Sequence, residues 1–329
     1  MNHNPDFPAV TVVIPAFNSE STIKQCLESI RSLDYPKEKL EIVVVDNGSE
    51  DGTPRLAAYL GAKVLVRPRI YVSEMRNTGA LESEGEVLAF IDSDCIVSPD
   101  WLKNGLQHLR EPKVGAAGCG YAISPTPCWI ERHWFYHHMA PPAKTTFLPA
   151  GNMLIRKKLF SEIGGFDPSL ETGEDSDLCL RLRKKGYYVI SDGSIKNVHL
   201  GNPKSLLHFL RKEIWYGKGL SACLNTTDWK DKTFLLTNVF LIALFLVGAG
   251  VVQVLLTGRA VLLFWGFIGI TAVVGTSTAY RTIRRRALSS FPHLALLNLV
   301  YFFGRSISLA QIYVNLSKRF VRTKNAFSH

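Results

Sequence analysis

The chain has 329 residues, 47% of them hydrophobic and 20% charged, with a formal net charge of +10. Its length allows more than one folding unit, each with its own core. The charge is unevenly placed: residues 1–195 carry 21 Lys+Arg against 25 Asp+Glu, net −4, and residues 196–329 carry 17 against 3, net +14. The basic half also holds the long apolar runs, a pairing that points to an anionic membrane surface. No Lys/Arg stripe interleaved with aromatics marks the first half, which argues against a nucleic-acid partner. Six cysteines (Cys26, Cys95, Cys119, Cys128, Cys179, Cys223) form no Cys-x-x-Cys pair. Several sit in apolar runs, as reduced, buried thiols of a cytosolic domain do. The first residues lack the basic patch and apolar core of a signal peptide.

Residues 10–14 read as a buried strand ended by Pro15. Ser19 or Ser21 can cap the following helix, where Ile23, Leu27 and Ile30 recur at helical spacing. Residues 40–45 form a second apolar strand, stopped by Asp46-Asn47-Gly48-Ser49. A short helix over 54–60, a strand over 62–66, a helix over 72–84 and a strand over 87–91 follow. Strands alternating with helices imply right-handed crossovers and a parallel sheet. The expected class is therefore α/β, Rossmann-like, with helices on both faces of a mostly parallel sheet.

The strand at 87–91 ends in Asp92-Ser93-Asp94. Carboxylates at the carboxyl end of such a strand lie where open α/β sheets bind ligands. On an extended strand, Asp92 and Asp94 would point the same way. Two hard oxygen donors there suit Mg2+ or Mn2+, and through the cation a diphosphate. The plainer alternative is a solvated turn.

A strand is expected over 114–121. The aromatic stretch at 125–138 is read as a loop over a cleft, a helix at a membrane interface, or ordinary packing on the sheet. Pro149-Ala150-Gly151-Asn152 is a turn feeding a short strand to residue 155. A helix over 157–163 closes at Gly164-Gly165. Residues 174–184 form a helix, and 187–190 and 195–199 short closing strands.

From residue 202 the character changes. Residues 205–224 read as a basic, aromatic, amphipathic helix lying in a membrane interface. Residues 233–258 and 260–280 are charge-free runs of 26 and 21 residues, broken only by Arg259. Each is long enough to span a bilayer, so they form a tight hairpin. Arg281, Arg284, Arg285 and Arg286 then fall on the cytoplasmic side by the positive-inside rule. The apolar stretch at 294–316 carries Asn298, Arg305, Ser308, Gln311 and Asn315. It is expected to be interfacial or re-entrant, because spanning would put the basic tail outside; a third span is the alternative. The resulting division is 1–201 catalytic, 202–232 interfacial, 233–280 hairpin, and 281–329 a basic C-terminal region. The expected location is the inner or plasma membrane, with the catalytic domain cytoplasmic.

Four fragments stand in order: Thr11 to Glu20, Glu41 to Thr53, Arg76-Asn77-Thr78-Gly79 ahead of Asp92-Ser93-Asp94, and Gly164 to Gly186 containing Glu174-Asp175. In this order and spacing the chain resembles family 2 glycosyltransferases, whose fold is called GT-A, over roughly residues 9–200. The resemblance implies sugar transfer from a UDP- or GDP-sugar, with inversion, assisted by Mn2+ or Mg2+. It implies that Asp94 is the main metal ligand, with Asp92 at the ribose or water-linked to the metal. His199 matches a further ligand or diphosphate contact, against the plainer reading of a histidine satisfied at a strand end. Pro15, Ala16, Phe17, Asn18, Glu20, Asp46 and Asn47 would build the base and ribose pocket, with Ser93 beside it. Many relatives have a second aspartate where Asn47 stands, which leaves the base open. Arg76 is either a base or diphosphate contact or a surface arginine on a solvated helix face. Asp175 is the expected base, Glu174 orients the acceptor or the helix start, and Gly151 and Asn152 line the sugar site. The plainer reading of the acidic pair is helix-dipole complementation. The acceptor implied is lipid-linked or membrane-proximal. A nucleotidyltransferase and a non-catalytic membrane scaffold are the competing readings; the first would need a glycine-rich basic loop near Pro15.

Overall fold

A computed structural model describes residues 7–135, 140–220 and 232–326. The end of the aromatic stretch at 136–139, the end of the expected interfacial helix at 221–224, Cys223 and the side chains of the basic tail beyond Lys318 lie outside the described residues. The chain divides into two compact units.

The first unit comprises residues up to Pro127 and Phe135–Asn202. Its strands are β1 (Val10–Ala16), β2 (Leu40–Asp46), β3 (Lys63–Val66), β4 (Val87–Ile91), β5 (Cys95–Val97), β6 (Val114–Gly118), β7 (Ala143–Lys144), β8 (Asn152–Arg156), β9 (Tyr188–Ser191) and β10 (Asn197–His199). Eight of them form one sheet in the order β3-β2-β1-β4-β8-β6-β9-β7. β1 runs parallel to β2 and β4, and β2 parallel to β3. β8 is inserted antiparallel between β4 and β6, so the sheet is mixed. β1 and β4 are buried at every position, as strands covered on both faces must be.

Side-chain alternation sorts these strands between two cores. On one face Val10, Val12 and Ile14 join Ile23, Leu27 and Ile30 of helix α1 (Glu20–Arg31) and Trp101 and Leu102. On the other, Val13, Leu88, Phe90 and Met153 meet Leu159 and Phe160, together with Leu178 and Leu182. The intervening helices are α2 (Thr53–Tyr59), α3 (Val72–Leu81), α4 (Trp101–Leu109), α5 (Trp129–Trp134), α6 (Lys157–Glu162) and α7 (Glu174–Lys184). The expected elements are present with ends shifted by a few residues; α3 stops three residues early. β5, β7 and α4 were not expected. β5 and β7 are only three and two residues long and carry no periodicity of their own.

The second unit contains α5, at Cys128–Trp134, and the residues from Pro203 onward. Helix α8 (Leu206–Gly217) begins at Ser205, whose hydroxyl accepts from His208 N at 3.2 Å. Three further helices span Lys232–Thr257, Val261–Arg285 and Phe291–Ala326. Among the described residues, three segments are long and apolar enough to cross a membrane: Lys232–Thr257, Val261–Arg285 and Leu288–Lys318. The third runs as one unbroken helix from Phe291. Of its polar residues, Asn298, Arg305 and Ser308 pack inside the unit, while Gln311 and Asn315 are exposed. Asn298 donates to Thr278 Oγ1 at 2.9 Å, and Arg305 Nε donates to Glu213 Oε2 of α8 at 2.9 Å. α5 packs on this helical unit: the Arg281 guanidinium lies 3.9 Å over the Trp134 ring, and Arg285 donates to the Trp134 carbonyl at 2.9 Å. Residues 129–134 are thus a short packed helix rather than a loop.

Candidate active site

The carboxyl ends of β1 and β2 carry two loops bonded to each other. Asn18, in the left-handed region at φ 46°, donates its backbone N–H to Ser49 Oγ at 2.9 Å. Its side-chain oxygen accepts from Glu50 N at 3.0 Å, and Glu20 Oε2 accepts from Gly52 N at 3.1 Å. Pro15 and Ala16 are buried as the last residues of β1, while Phe17 is 57% exposed at the rim. Asp46 is buried and accepts from Gly48 N at 3.0 Å and Ser49 N at 2.9 Å, which shapes the turn after β2. Asn47 makes a paired contact with Ile70: its amide donates to the carbonyl at 3.2 Å and its oxygen accepts from the N–H at 3.1 Å. Aspartate could only accept there, so the asparagine has a structural reason.

β4 ends at Ile91, and Asp92-Ser93-Asp94 is a tight turn closed by Cys95 N donating to Asp92 O at 3.0 Å. The two carboxylates therefore converge because the chain turns, not because an extended strand alternates. Asp92 Oδ1 meets Arg76 Nη2 at 2.7 Å, and its Oδ2 accepts from Tyr121 OH at 3.0 Å. Burial works to raise the Asp92 carboxyl, but Arg76 and then His199 outweigh it and hold it below the usual range. Burial, with Asp92 adjacent, keeps the Tyr121 phenol well above its usual range, so it stays a donor. Ser93 is buried, and its hydroxyl lies 2.9 Å from Ser19 Oγ. Ser19 occupies the start of α1, yet its hydroxyl makes no cap hydrogen bond there.

Arg76 is buried at 4% exposure, which removes the solvated-face reading. Its second nitrogen pairs with Glu174 Oε1 at 2.6 Å, so one guanidinium bridges the β4 turn and the start of α7. Asp175 follows Glu174 with a half-buried side chain. Burial, then the Glu174 charge, pushes its carboxyl up to about 7, while Ser176 N donates to it at 2.8 Å. Helix-dipole complementation would act in the opposite direction, lowering that carboxyl.

β10 pairs antiparallel with β5, setting His199 opposite Cys95. His199 Nε2 lies 3.4 Å from Asp94 Oδ1, and its Nδ1 lies 3.1 Å from Asn202 Oδ1. One donor atom each from Asp92, Asp94, Cys95 and His199 falls within 4.8 Å of all the others. Oxygen and imidazole donors at this separation fit a divalent cation such as Mn2+ or Mg2+.

Two glycines make room for these carboxylates. A Cβ at Gly151 would stand 2.0 Å from Asp92 Oδ2, and one at Gly201 would stand 1.8 Å from Asp94 Oδ2. Asn152 is fully buried. It accepts from Trp101 Nε1 at 2.7 Å and donates to the Ile195 carbonyl at 2.9 Å, so its side chain supports the floor beneath Gly151.

The structure thus joins Asp92, Asp94, His199, Arg76 and Glu174 directly, with Asp175 next in the chain. Pro15 to Glu20, Asp46 and Asn47 form a separate bonded loop pair beside them. Tyr121, Cys95, Gly201 and Asn202 were missed. Gly201-Asn202, one residue beyond His199, is a turn signal that could have flagged the site; Tyr121 carries no local signal.

The mixed sheet, its flanking helices and the acidic turn after β4 define a GT-A fold of the kind used by glycosyltransferases. Residues 11–164 match the family model described as glycosyl transferase family 2. The glycosyltransferase AglE of Haloferax volcanii is 30% identical over 250 residues, covering 73% of this chain and 80% of that protein. The chain belongs to glycosyl transferase family 2. A dolichyl N-acetyl-alpha-D-glucosaminyl phosphate 3-beta-D-2,3-diacetamido-2,3-dideoxy-beta-D-glucuronosyltransferase of Methanococcus voltae is 27% identical, over 64% of this chain and 73% of its own. The mannosyltransferase PcManGT of Pyrobaculum calidifontis, solved with GDP-Man and Mn2+, shares the fold at TM-score 0.61 and 20% identity, over 92% of this chain and 87% of that one.

Proposed function

We propose that this glycosyltransferase moves a sugar, with inversion, from a nucleotide-diphosphate donor to a lipid-linked or membrane-proximal glycan. The observation that carries the reading is the convergence of Asp92, Asp94 and His199 within 4.8 Å at the end of β4. The donor would be a UDP- or GDP-sugar. A divalent cation bound there would balance the charge developing on the leaving diphosphate. Asp94 and His199 would hold it, with Asp92, kept ionised by Arg76, at the ribose or linked to it through water. The loops at Pro15–Glu20 and Asp46–Asn47 would receive the nucleoside, with Phe17 at the rim. Asp175 would take the proton of the acceptor hydroxyl; a carboxyl pushed up to about 7 is matched to that task near neutral pH. Glu174, fixed by Arg76, would position Asp175 and the acceptor.

The acceptor class is supported by the chain itself. His199 already lies in the +14 half, residues 196–329, which also carries the three apolar helices. The Methanococcus relative is named for a dolichyl-phosphate-linked acceptor. We place the helices in a membrane and the catalytic unit on its cytoplasmic side, where Arg281, Arg284, Arg285 and Arg286 would also lie. The test is transfer from a panel of UDP- and GDP-sugars by purified full-length protein, with and without Mn2+, into a lipid extract. NMR of the product anomer reads the stereochemistry. Absence of binding to every nucleotide sugar by calorimetry would refute the proposal.

A further inference from the structure

Cys95 has no part in the chemistry proposed above, yet it stands inside the cation site. It is fully buried, and the β5–β10 pairing sets it directly opposite His199, itself 8% exposed. Residues opposed across an antiparallel pair project on the same face of the ribbon. Asp94 Oδ1 lies 3.4 Å from His199 Nε2 and 3.9 Å from Cys95 Sγ. Two ligands on one tetrahedral ion, at the usual zinc distances, stand roughly 3.3–3.6 Å apart. The Asp94–His199 separation already meets that spacing, and the Asp94–Cys95 separation exceeds it by a few tenths of an ångström. Sulfur has little affinity for Mg2+ or Mn2+ but strong affinity for soft cations.

We propose that Cys95 gives this site a second coordination mode, in which a thiophilic divalent cation is held by Asp94, Cys95 and His199, closed by Asp92. The inference rests on the donor-site reading for its functional consequence but not for its coordination. With Mn2+ or Mg2+ only oxygen and imidazole ligands engage, and positions remain for the diphosphate. With Zn2+ or Cd2+ the Cys95 S–H bond breaks, a sulfur–metal bond forms and the proton leaves to the buffer. Four protein ligands make a closed site of the structural kind, with no position left for the donor. Thiophilic cations therefore act as inhibitors that compete with both Mn2+ and the nucleotide sugar.

The probe is Cd2+, titrated into full-length protein in detergent while the cadmium–thiolate charge-transfer band is followed in the ultraviolet. Cys95→Ser should lose one thiolate equivalent of that band and at least tenfold in Cd2+ affinity relative to Mn2+ affinity, each read by calorimetry. Cys26→Ser, at a thiol outside this ligand set, should retain the band. If Cys95→Ser does not fold, Cys95→Ala serves in its place. His199→Gln should weaken Cd2+ binding while leaving the band at saturation. An undiminished band in the Cys95 variants, or Cd2+ bound with no thiolate band at all, overturns the assignment. Mn2+-dependent donor binding without the band would sink this inference alone. A Cys95-dependent band in protein that binds no nucleotide sugar would sink the donor reading and leave the coordination standing.

Discussion

Asp175 sits under opposing demands. Burial and Glu174 push its carboxyl up to about 7. The proposed base role requires an ionised Asp175, so transfer should rise with pH through about 7 and level off above it. Stability follows the opposite sign. A carboxyl raised in the folded state stabilises the fold fully below the unfolded value near 4, and that contribution is lost as pH climbs through about 7. Asp175→Asn should therefore lower transfer by about 10²- to 10⁴-fold. The same variant should raise Tm at pH 8, where the wild-type carboxylate is ionised. Paired transfer assays and melting curves check this, and full transfer by the variant would remove Asp175 from the role. Gly201 offers a second test at this scale. Its missing Cβ leaves the space that Asp94 Oδ2 fills. Gly201→Ala should displace that carboxylate and weaken Mn2+ binding at least tenfold by calorimetry, with the fold retained in circular dichroism.

Between elements, the decisive link is Arg76. It projects from α3, and its two nitrogens meet the turn after β4 and the first residue of α7. Asp92 and Glu174 are thereby held by one buried cation. Removing it leaves two carboxylates buried without their partner, which costs about 3–5 kcal/mol for such a pair. Arg76→Gln should lower Tm by several degrees. It should also broaden the pH profile of transfer, because Glu174 loses its fixed position beside Asp175. A variant with wild-type Tm and pH profile would show that the bridge carries neither role. The Asn47–Ile70 pairing likewise pins the loop after β3 to the turn after β2.

At the level of the whole molecule, an acidic catalytic unit is joined to a basic unit with three apolar helices. Buried polar contacts such as Arg305–Glu213 and Asn298–Thr278 tie the second unit together where apolar packing alone gives little direction. If these helices cross a bilayer, the protein should stay with the membrane fraction through high-salt washing and leave it only with detergent. Release by salt alone would reduce the second unit to a peripheral, electrostatic attachment.

The sequence by itself determined the alternating α/β pattern, the two aspartates after β4, the Glu174-Asp175 pair and the three apolar segments. Each is a local property: an apolar period, a chain of β-branched residues, or adjacent charges. What only the tertiary structure decided depends on partners far apart in the chain. Arg76 reads the same whether solvated or ion-paired, because Asp92 is 16 residues away and Glu174 is 98. β8 shows no local sign that it runs antiparallel between β4 and β6, since strand direction leaves no trace in hydrophobicity. The third apolar segment looked interfacial because spanning would put its basic tail outside; in the fold Asn298 meets Thr278 and Arg305 meets α8. Asp92 and Asp94 converge through a turn rather than along a strand. The cross-strand pairing of β10 with three-residue β5 then brings His199, and with it Cys95, to the same cluster as Asp92 and Asp94.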